Sequence, residues 1–363
     1  MQYEIAVVMG DGIGPEVCSA AMEVLEAVPG LAGRLVFKEY PAGAEHYRRS
    51  GDSFPASTFE GCKRAHAILH GAAGLPGVNY PDGTEAGLDF GLQLRFRLDL
   101  YANVRPIKLL PGVKGPLRRF EAKQIDYVIL RENTEGLYAA RGNGTVLRDE
   151  VAADTLLVTR KGVERIARMA FELSRKRNGA PRDGKRRVTL CDKANVLRSY
   201  AFFRKVFTEI AADYPDIEVD YCMVDAMTVH LIERPDWYDV IVTENMFGDI
   251  ISDLGAATVG GMGMSPSAEL GASNAFFQAS HGSAPTIAGK NVANPHGTIL
   301  SASYMLRWLG ERHGDPELAQ AADRIERAVE SVLAGGFGLT RDIGGQAGTR
   351  EATAAVVAAI QRT

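Results

Sequence analysis

The chain has 363 residues, 46% hydrophobic and 24% charged, with Lys+Arg 41 against Asp+Glu 45 and a net charge of −4. That length predicts about two domains, and the composition is globular, which excludes disordered, collagenous and disulfide-stapled classes. The charge balance offers no phosphate-backbone footprint, no apolar run reaches 18 residues, and Met1-Gln2-Tyr3-Glu4 lacks a basic signal region, so neither nucleic acid nor membrane is an expected partner.

Apolar runs alternate with amphipathic segments almost from end to end. Residues 5–9 read as a buried strand, a Gly-rich turn follows, and residues 15–27 carry helical periodicity with Pro15 in the first turn. Strands are predicted at 65–70, 127–130, 188–191 and 239–243, with helical patterns at 163–175 and 201–211 between them. Such alternation predicts α/β architecture with a helix-covered sheet. The turn signal Gly142-Asn143-Gly144-Thr145, followed by residues 146–159, predicts a hairpin. In an α/β chain it would be an inserted arm near 140–160, of the kind that pairs with another subunit. Residues 335–348 are rich in Gly and Thr and predict a surface loop before a last helix. Cys18, Cys62, Cys191 and Cys222 form no C-x-x-C pair, which predicts reduced thiols in a cytoplasmic protein and no zinc site.

Gly10-Asp11-Gly12-Ile13-Gly14-Pro15-Glu16 sits where a Rossmann fingerprint would, but Pro15 occupies the third glycine's position and no acidic residue closes a second strand as required. We read it as a structural turn.

Arg95 and Arg105 lie ten residues apart, and Arg131 follows the strand at 127–130, where α/β sites gather. Arginine forks hold carboxylates at two points, so converging arginines suit a substrate with two or three carboxylates. Tyr138, downstream of Arg131, is a proton donor if cationic neighbours lower its pKa. Lys193 follows the strand at 188–191 and is a base once its charge is disfavoured. Asp249 and Asp253 are spaced i, i+4 and share one helix face; with Asp225 they offer all-oxygen ligation, which points to Mg²⁺ or Mn²⁺. The small-residue stretch His281-Gly282-Ser283-Ala284-Pro285-Thr286-Ile287 lets backbone approach a nucleotide closely.

Taken together in this order, these motifs, with Arg131-Glu132-Asn133-Thr134-Glu135-Gly136, Asp192-Lys193-Ala194-Asn195 and Asn245-x-Phe247-Gly248-Asp249-Ile250-x-Ser252-Asp253, resemble the β-decarboxylating dehydrogenases: isopropylmalate, isocitrate, homoisocitrate and tartrate/D-malate dehydrogenases. The resemblance implies a non-Rossmann, isopropylmalate dehydrogenase-like two-domain fold. One domain would combine 1–100 with 260–363 on the cofactor side; the other, 101–259, would hold the metal site and the β arm for dimerisation. It further implies a homodimer in which Lys193 and Asp225 reach the neighbouring subunit's site. Asp225, Asp249 and Asp253 would hold the metal, Lys193 would act as base and Tyr138 as proton donor, and Arg95, Arg105 and Arg131 would clamp a hydroxy-dicarboxylate. His281 to Ile287, with Asn195, Asn294 and Asp342, would bind the cofactor.

Where isopropylmalate enzymes carry an acid and a leucine pair before the first clamp arginine, the ungapped positions here are Leu88, Gly91 and Leu92. The serine and asparagine of isocitrate enzymes are also missing. The pocket reads as apolar, which favours (R)-malate or a 3-substituted malate; tartrate/D-malate and a specialised malate analogue are the alternatives. Thr286-Ile287 brings no positive charge to a 2′-phosphate, which favours NAD over NADP. A silent regulatory subunit would be expected to lose Tyr138, Lys193 or a metal aspartate, and all are present.

Overall fold

The computed structural model describes residues 1–362, and the chain divides into two units. One comprises Met1–Leu100, Leu110–Pro116 and Val259–Thr363; the other comprises Tyr101–Leu109 and Leu117–Thr258.

The first unit opens with β1 (Tyr3–Gly10), α1 (Gly14–Ala27), β2 (Leu35–Glu39), α2 (Ala44–Ser50), α3 (Ala56–Arg64), β3 (Ala67–Ala72) and α4 (Asp89–Arg97). The second unit contains β4 (Ala102–Lys108), β5 (Asp126–Glu132), β6 (Thr145–Leu147), β7 (Val151–Ala153), α5 (Arg160–Lys176) and β8 (Arg187–Asp192). It continues with α6 (Arg198–Ala211), β9 (Glu218–Met223), α7 (Val224–Glu233), β10 (Val240–Thr243) and α8 (Asn245–Thr258). The chain then returns to the first unit with β11 (Pro266–Leu270), β12 (Ala275–Ala279), α9 (His296–His313), α10 (Pro316–Ala334) and α11 (Thr349–Arg362).

In the first unit the strands run β2-β1-β3-β12-β11, all parallel except that β11 is antiparallel to β12. In the second they run β4-β5-β10-β8-β9, with β4 alone antiparallel. Neither is the 3-2-1-4-5-6 order of the Rossmann fold. The central strands are continuous aliphatic runs because helices cover both faces. α5 shows how a helix is fixed from its sequence. Val163, Ile166, Ala167, Ala170, Phe171 and Ser174 recur at helical spacing and are buried. Its start lies earlier than periodicity predicts, because the Thr159 hydroxyl accepts from the Gly162 amide at 3.0 Å and caps it.

The glycine turn after β1 is a structural knot. Asp11 is buried, and its carboxylate accepts from the amides of Ala44 and Gly74 at 2.8 Å and of Glu45 at 2.9 Å. Gly10 and Gly12 have φ of 73° and 59°, and a Cβ on either would lie 1.8 Å from the Ala72 oxygen or 1.9 Å from the Ser283 oxygen. Only glycine meets both demands.

The hairpin exists, but its turn is not the Gly142–Thr145 stretch. β6 and β7 pair antiparallel with Leu147 opposite Val151, so residues 148–150 make the turn. Arg148 and Asp149 take left-handed φ of 54° and 56°, and the Glu150 amide donates to the Leu147 oxygen. The glycines instead form a separate bend, closed by the Asn143 amide on the Ala140 oxygen. Residues 335–348 form a loop at the surface before α11, pinned by a few inward residues. Gly338, Thr340 and Ile343 are buried, and Arg341–Ile343 is a single 3₁₀ turn. The four cysteines are buried as free thiols.

Candidate active site

In the second unit the functional side chains gather where parallel strands end, the usual location for α/β sites. Arg131 is the penultimate residue of β5, Lys193 follows β8, Asp225 enters the first turn of α7 directly after β9, and α8 follows β10 through Glu244. Glu244, buried, accepts from the amides of Met246 and Phe247 at 3.1 and 2.7 Å and so anchors the start of α8.

One face of α8 then meets two buried arginines. The Arg131 Nε and Nη2 atoms donate to Asn245 Oδ1 at 3.0 and 2.6 Å, and Nη1 donates to Asp249 Oδ1 at 2.5 Å. Arg105 approaches from β4. Its Nη1 donates to Ser252 Oγ at 2.8 Å, its Nη2 lies 3.4 Å from Asp249, and its Nη1 lies 3.5 Å from Asp253. The two arginines hold apart carboxylates that would otherwise repel. Burial raises the Asp253 pKa, with Arg105 opposing the shift.

The Tyr138 hydroxyl donates to the other Asp249 oxygen at 3.2 Å. The expectation that cations would acidify this phenol is corrected here. Burial and the Asp249 charge raise its pKa, and Arg131 offsets them only in part. Tyr138 therefore keeps its proton at neutral pH. Lys193 donates to Asp225 at 2.6 Å and holds that carboxyl below its ordinary range. Asp225 is thus set against Lys193 and not against Asp249 and Asp253. Among the described residues no three His, Cys, Asp or Glu side chains of one chain converge as metal ligands. Asn195 lies exposed in the turn after Lys193.

The first unit presents a separate set. Leu88 immediately precedes α4, Leu92 and Arg95 follow on it, and the Arg95 Nε and Nη2 donate to both oxygens of Glu269 at 2.8 and 2.6 Å. Arg97 stacks over the Phe59 ring and Gln93 donates to Asp89, so each has a structural partner. The 281–287 stretch backs onto the glycine turn, with the Ile13 amide donating to the Ser283 oxygen at 2.8 Å. Ala284 takes a φ of 38°, Pro285 and Thr286 are exposed, and Gly282 has open space around it. Burial lowers the His281 imidazole pKa, and its Nε2 is buried without a partner. Asn294 Nδ2 donates to Asp342 at 3.0 Å, and Thr340 donates to the other Asp342 oxygen at 2.5 Å.

Sequence reasoning missed the residues that hold the arginines. Asn245 and Ser252 were within reach of it, since they share the i, i+4, i+7 face of Asp249. Glu269 was not, because it comes from a distant strand.

A family model described as isocitrate/isopropylmalate dehydrogenase matches residues 4–360. The chain is 45% identical over 350 residues to the 3-isopropylmalate/3-methylmalate dehydrogenase of Methanocaldococcus jannaschii, covering 96% of each chain. It is 43% identical over 362 residues to the isocitrate/homoisocitrate dehydrogenase of Thermus thermophilus, covering 99% of each. The crystal structure of isocitrate dehydrogenase from Methylococcus capsulatus superposes with a TM-score of 0.86 at 37% identity, over 99% of this chain and 100% of that one.

Proposed function

From the premise that the chain belongs to the isocitrate/isopropylmalate dehydrogenase family of β-decarboxylating dehydrogenases, we propose that it oxidises and decarboxylates (R)-malate, or a malate with an uncharged 3-substituent, to a 2-oxo acid, with NAD as oxidant. The observation that carries this reading is the α8 face, where Asp249 and Asp253 lie within reach of Arg105, Arg131 and Tyr138.

Arg105 and Arg131, with Arg95, bind the malate carboxylates. Lys193 of a second copy, once its ammonium has released a proton to solvent, takes the proton of the 2-hydroxyl; Tyr138 gives its phenol proton to C3 after carbon dioxide leaves and is reprotonated from solvent. Asp249 and Asp253 are hard, partly exposed oxygen donors and fit Mg²⁺ or Mn²⁺; the third carboxylate is Asp225 of a second copy. Such a cation, when bound, supplies Lewis acidity toward the oxygen on C2. The orphaned His281 Nε2 and the fixed Asp342 carboxylate fit a dinucleotide, since a carboxylate accepts from ribose hydroxyls and repels a 2′-phosphate. NAD, when bound, accepts the C2 hydride.

Homodimerisation is part of the proposal. Val229 and Ile232 on α7, Ile250 on α8 and Val146 and Leu147 on the hairpin leave apolar side chains exposed.

NADH formation with Mn²⁺ across isopropylmalate, D-malate, tartrate, isocitrate and homoisocitrate, each repeated with NADP, tests the reading. Turnover of isopropylmalate or D-malate with NAD is expected. Metal-independent turnover, a preference for NADP, or no turnover of any member overturns it.

A further inference from the structure

We propose that Glu269 is a specificity-determining residue that makes the 3-substituent side of the site electrically neutral and so disfavours malates carrying a third carboxylate. The inference rests on the functional reading above, together with the expectation from the resemblance that the α4 segment leading to Arg95 meets the 3-substituent.

Leu88 just before α4, Leu92 within it and Arg95 in its last turn are spaced i, i+4 and i+7, a spacing that places them along one face. The only charge in that set is Arg95. It does not stand as a free cation: Glu269 engages its Nε and Nη2 edge at two points, 2.8 and 2.6 Å away. The Glu269 side chain is 0% exposed and that of Arg95 is 12% exposed, so little water screens the pair. Gln278 Nε2 donates to Glu269 Oε1 at 3.2 Å and fixes the carboxylate from the neighbouring strand. β11 and β12 pair antiparallel with Ser267 opposite Gln278, which brings residues 269 and 278 to the same face.

The pair is therefore net neutral and geometrically fixed. Arg95 keeps its role as a directional donor, yet its charge is already matched. An aliphatic 3-substituent loses nothing beside it and gains apolar contact with the leucines. A substituent ending in a carboxylate must shed water toward a face with no net positive charge, so its desolvation goes uncompensated.

The test compares kcat/KM for homoisocitrate and isopropylmalate in the wild-type protein and in Glu269→Gln, with NAD and Mn²⁺. The wild type is expected to favour isopropylmalate by about tenfold or more. In Glu269→Gln the homoisocitrate-to-isopropylmalate ratio should rise by about tenfold, chiefly through KM for homoisocitrate. Glu269→Asp, which keeps the charge, should stay near the wild-type ratio. A purely structural role for Glu269 would lower both substrates together and leave the ratio fixed, which overturns the proposal. So does a wild-type preference for homoisocitrate. Should Glu269→Gln fail to fold, Gln278→Lys places a positive charge beside the same carboxylate, and the ratio should again rise; an unchanged ratio overturns the inference. If the wild type turns over neither compound nor D-malate, the functional reading falls as well. If it turns over isopropylmalate and no variant moves the ratio, only the Glu269 inference falls.

Discussion

Asp249 Oδ1 receives the Arg131 Nη1 donor at 2.5 Å, from an arginine whose other two nitrogens are both spent on Asn245. The carboxylate is thus oriented before any ligand arrives. Asp249→Asn keeps the shape of the side chain but removes its charge. It should lower metal-dependent kcat/KM by on the order of 10²–10³, the loss of several kcal/mol of charge stabilisation. The melting transition should move by only a few degrees. Wild-type turnover in this variant would remove Asp249 from the metal site.

Arg131→Lys retains one positive charge but loses the fork. Asn245 Oδ1, which accepts two donors from Arg131, would retain one at most. We expect KM for the malate to rise about tenfold to a hundredfold, the cost of one or two charged hydrogen bonds. An unchanged KM in steady-state kinetics would show that Arg131 does not touch substrate.

The Lys193–Asp225 contact bears on assembly. If both residues serve a second copy's site, Lys193→Met and Tyr138→Phe dimers are each inactive, whereas mixed dimers contain one intact site. Co-refolded mixtures should recover up to about a quarter of wild-type activity, the statistical share of one restored site in half of the dimers. Mixtures as inactive as their parents would mean that each chain supplies its own Lys193.

Asp342→Asn tests cofactor choice. Loss of the carboxylate weakens its acceptance of ribose hydroxyls and removes its repulsion of a phosphate. The NAD-to-NADP ratio of kcat/KM should fall by about tenfold. A constant ratio would place cofactor selection elsewhere.

His70 predicts an acid limit for the first unit. Buried on β3 and bonded through Nδ1 to the Val8 oxygen, it has a pKa pushed down to about 4 by burial, against an ordinary value near 6.5. The folded state binds the proton less readily than the unfolded chain, so stability is fully present above about pH 6.5 and falls as pH drops toward 4. At pH 5 the loss is about 2 kcal/mol relative to pH 7.5. Urea titrations at the two pH values should show this drop in the wild type and a smaller one in His70→Asn. Equal drops in the two proteins would rule out His70 as the source.

Periodicity made β1, β3, β5, β8 and β10 and helices α1, α5 and α6 legible, because central strands buried on both faces are written as runs of apolar residues, as at Tyr127-Val128-Ile129-Leu130; β2 and β9, which are largely half-buried, gave no such run. The position of Arg131 at a strand end and the shared face of Asp249 and Asp253 followed from the same arithmetic. The hairpin turn did not. Arg148 takes left-handed backbone that it does not advertise, and Asp149, which tolerates it, signals it more weakly than the glycines lying outside the strands. The acidity of Tyr138 also escaped, since burial, joined by the Asp249 charge, outweighs Arg131, and the sequence shows neither the burial nor the approach of Asp249. Glu269 was invisible because its link to Arg95 spans 174 positions.

The division of the chain also constrains synthesis. Helix α1 packs against α11, and Glu16 near the start of α1 accepts from Thr349 at the start of α11. The second unit needs nothing beyond Thr258 to complete its own strands, whereas the first waits for its last helix. At about 5–20 residues per second the ribosome takes on the order of 5–20 s to supply those remaining residues. For the first part of that interval, until Ala279 is made, β1 and β3 stand without β12 beside them, and for the rest of it they lack α11. A released chain ending at Thr258 should therefore resist protease across the second unit while its first hundred residues are cut. This enzyme matures from the middle outward.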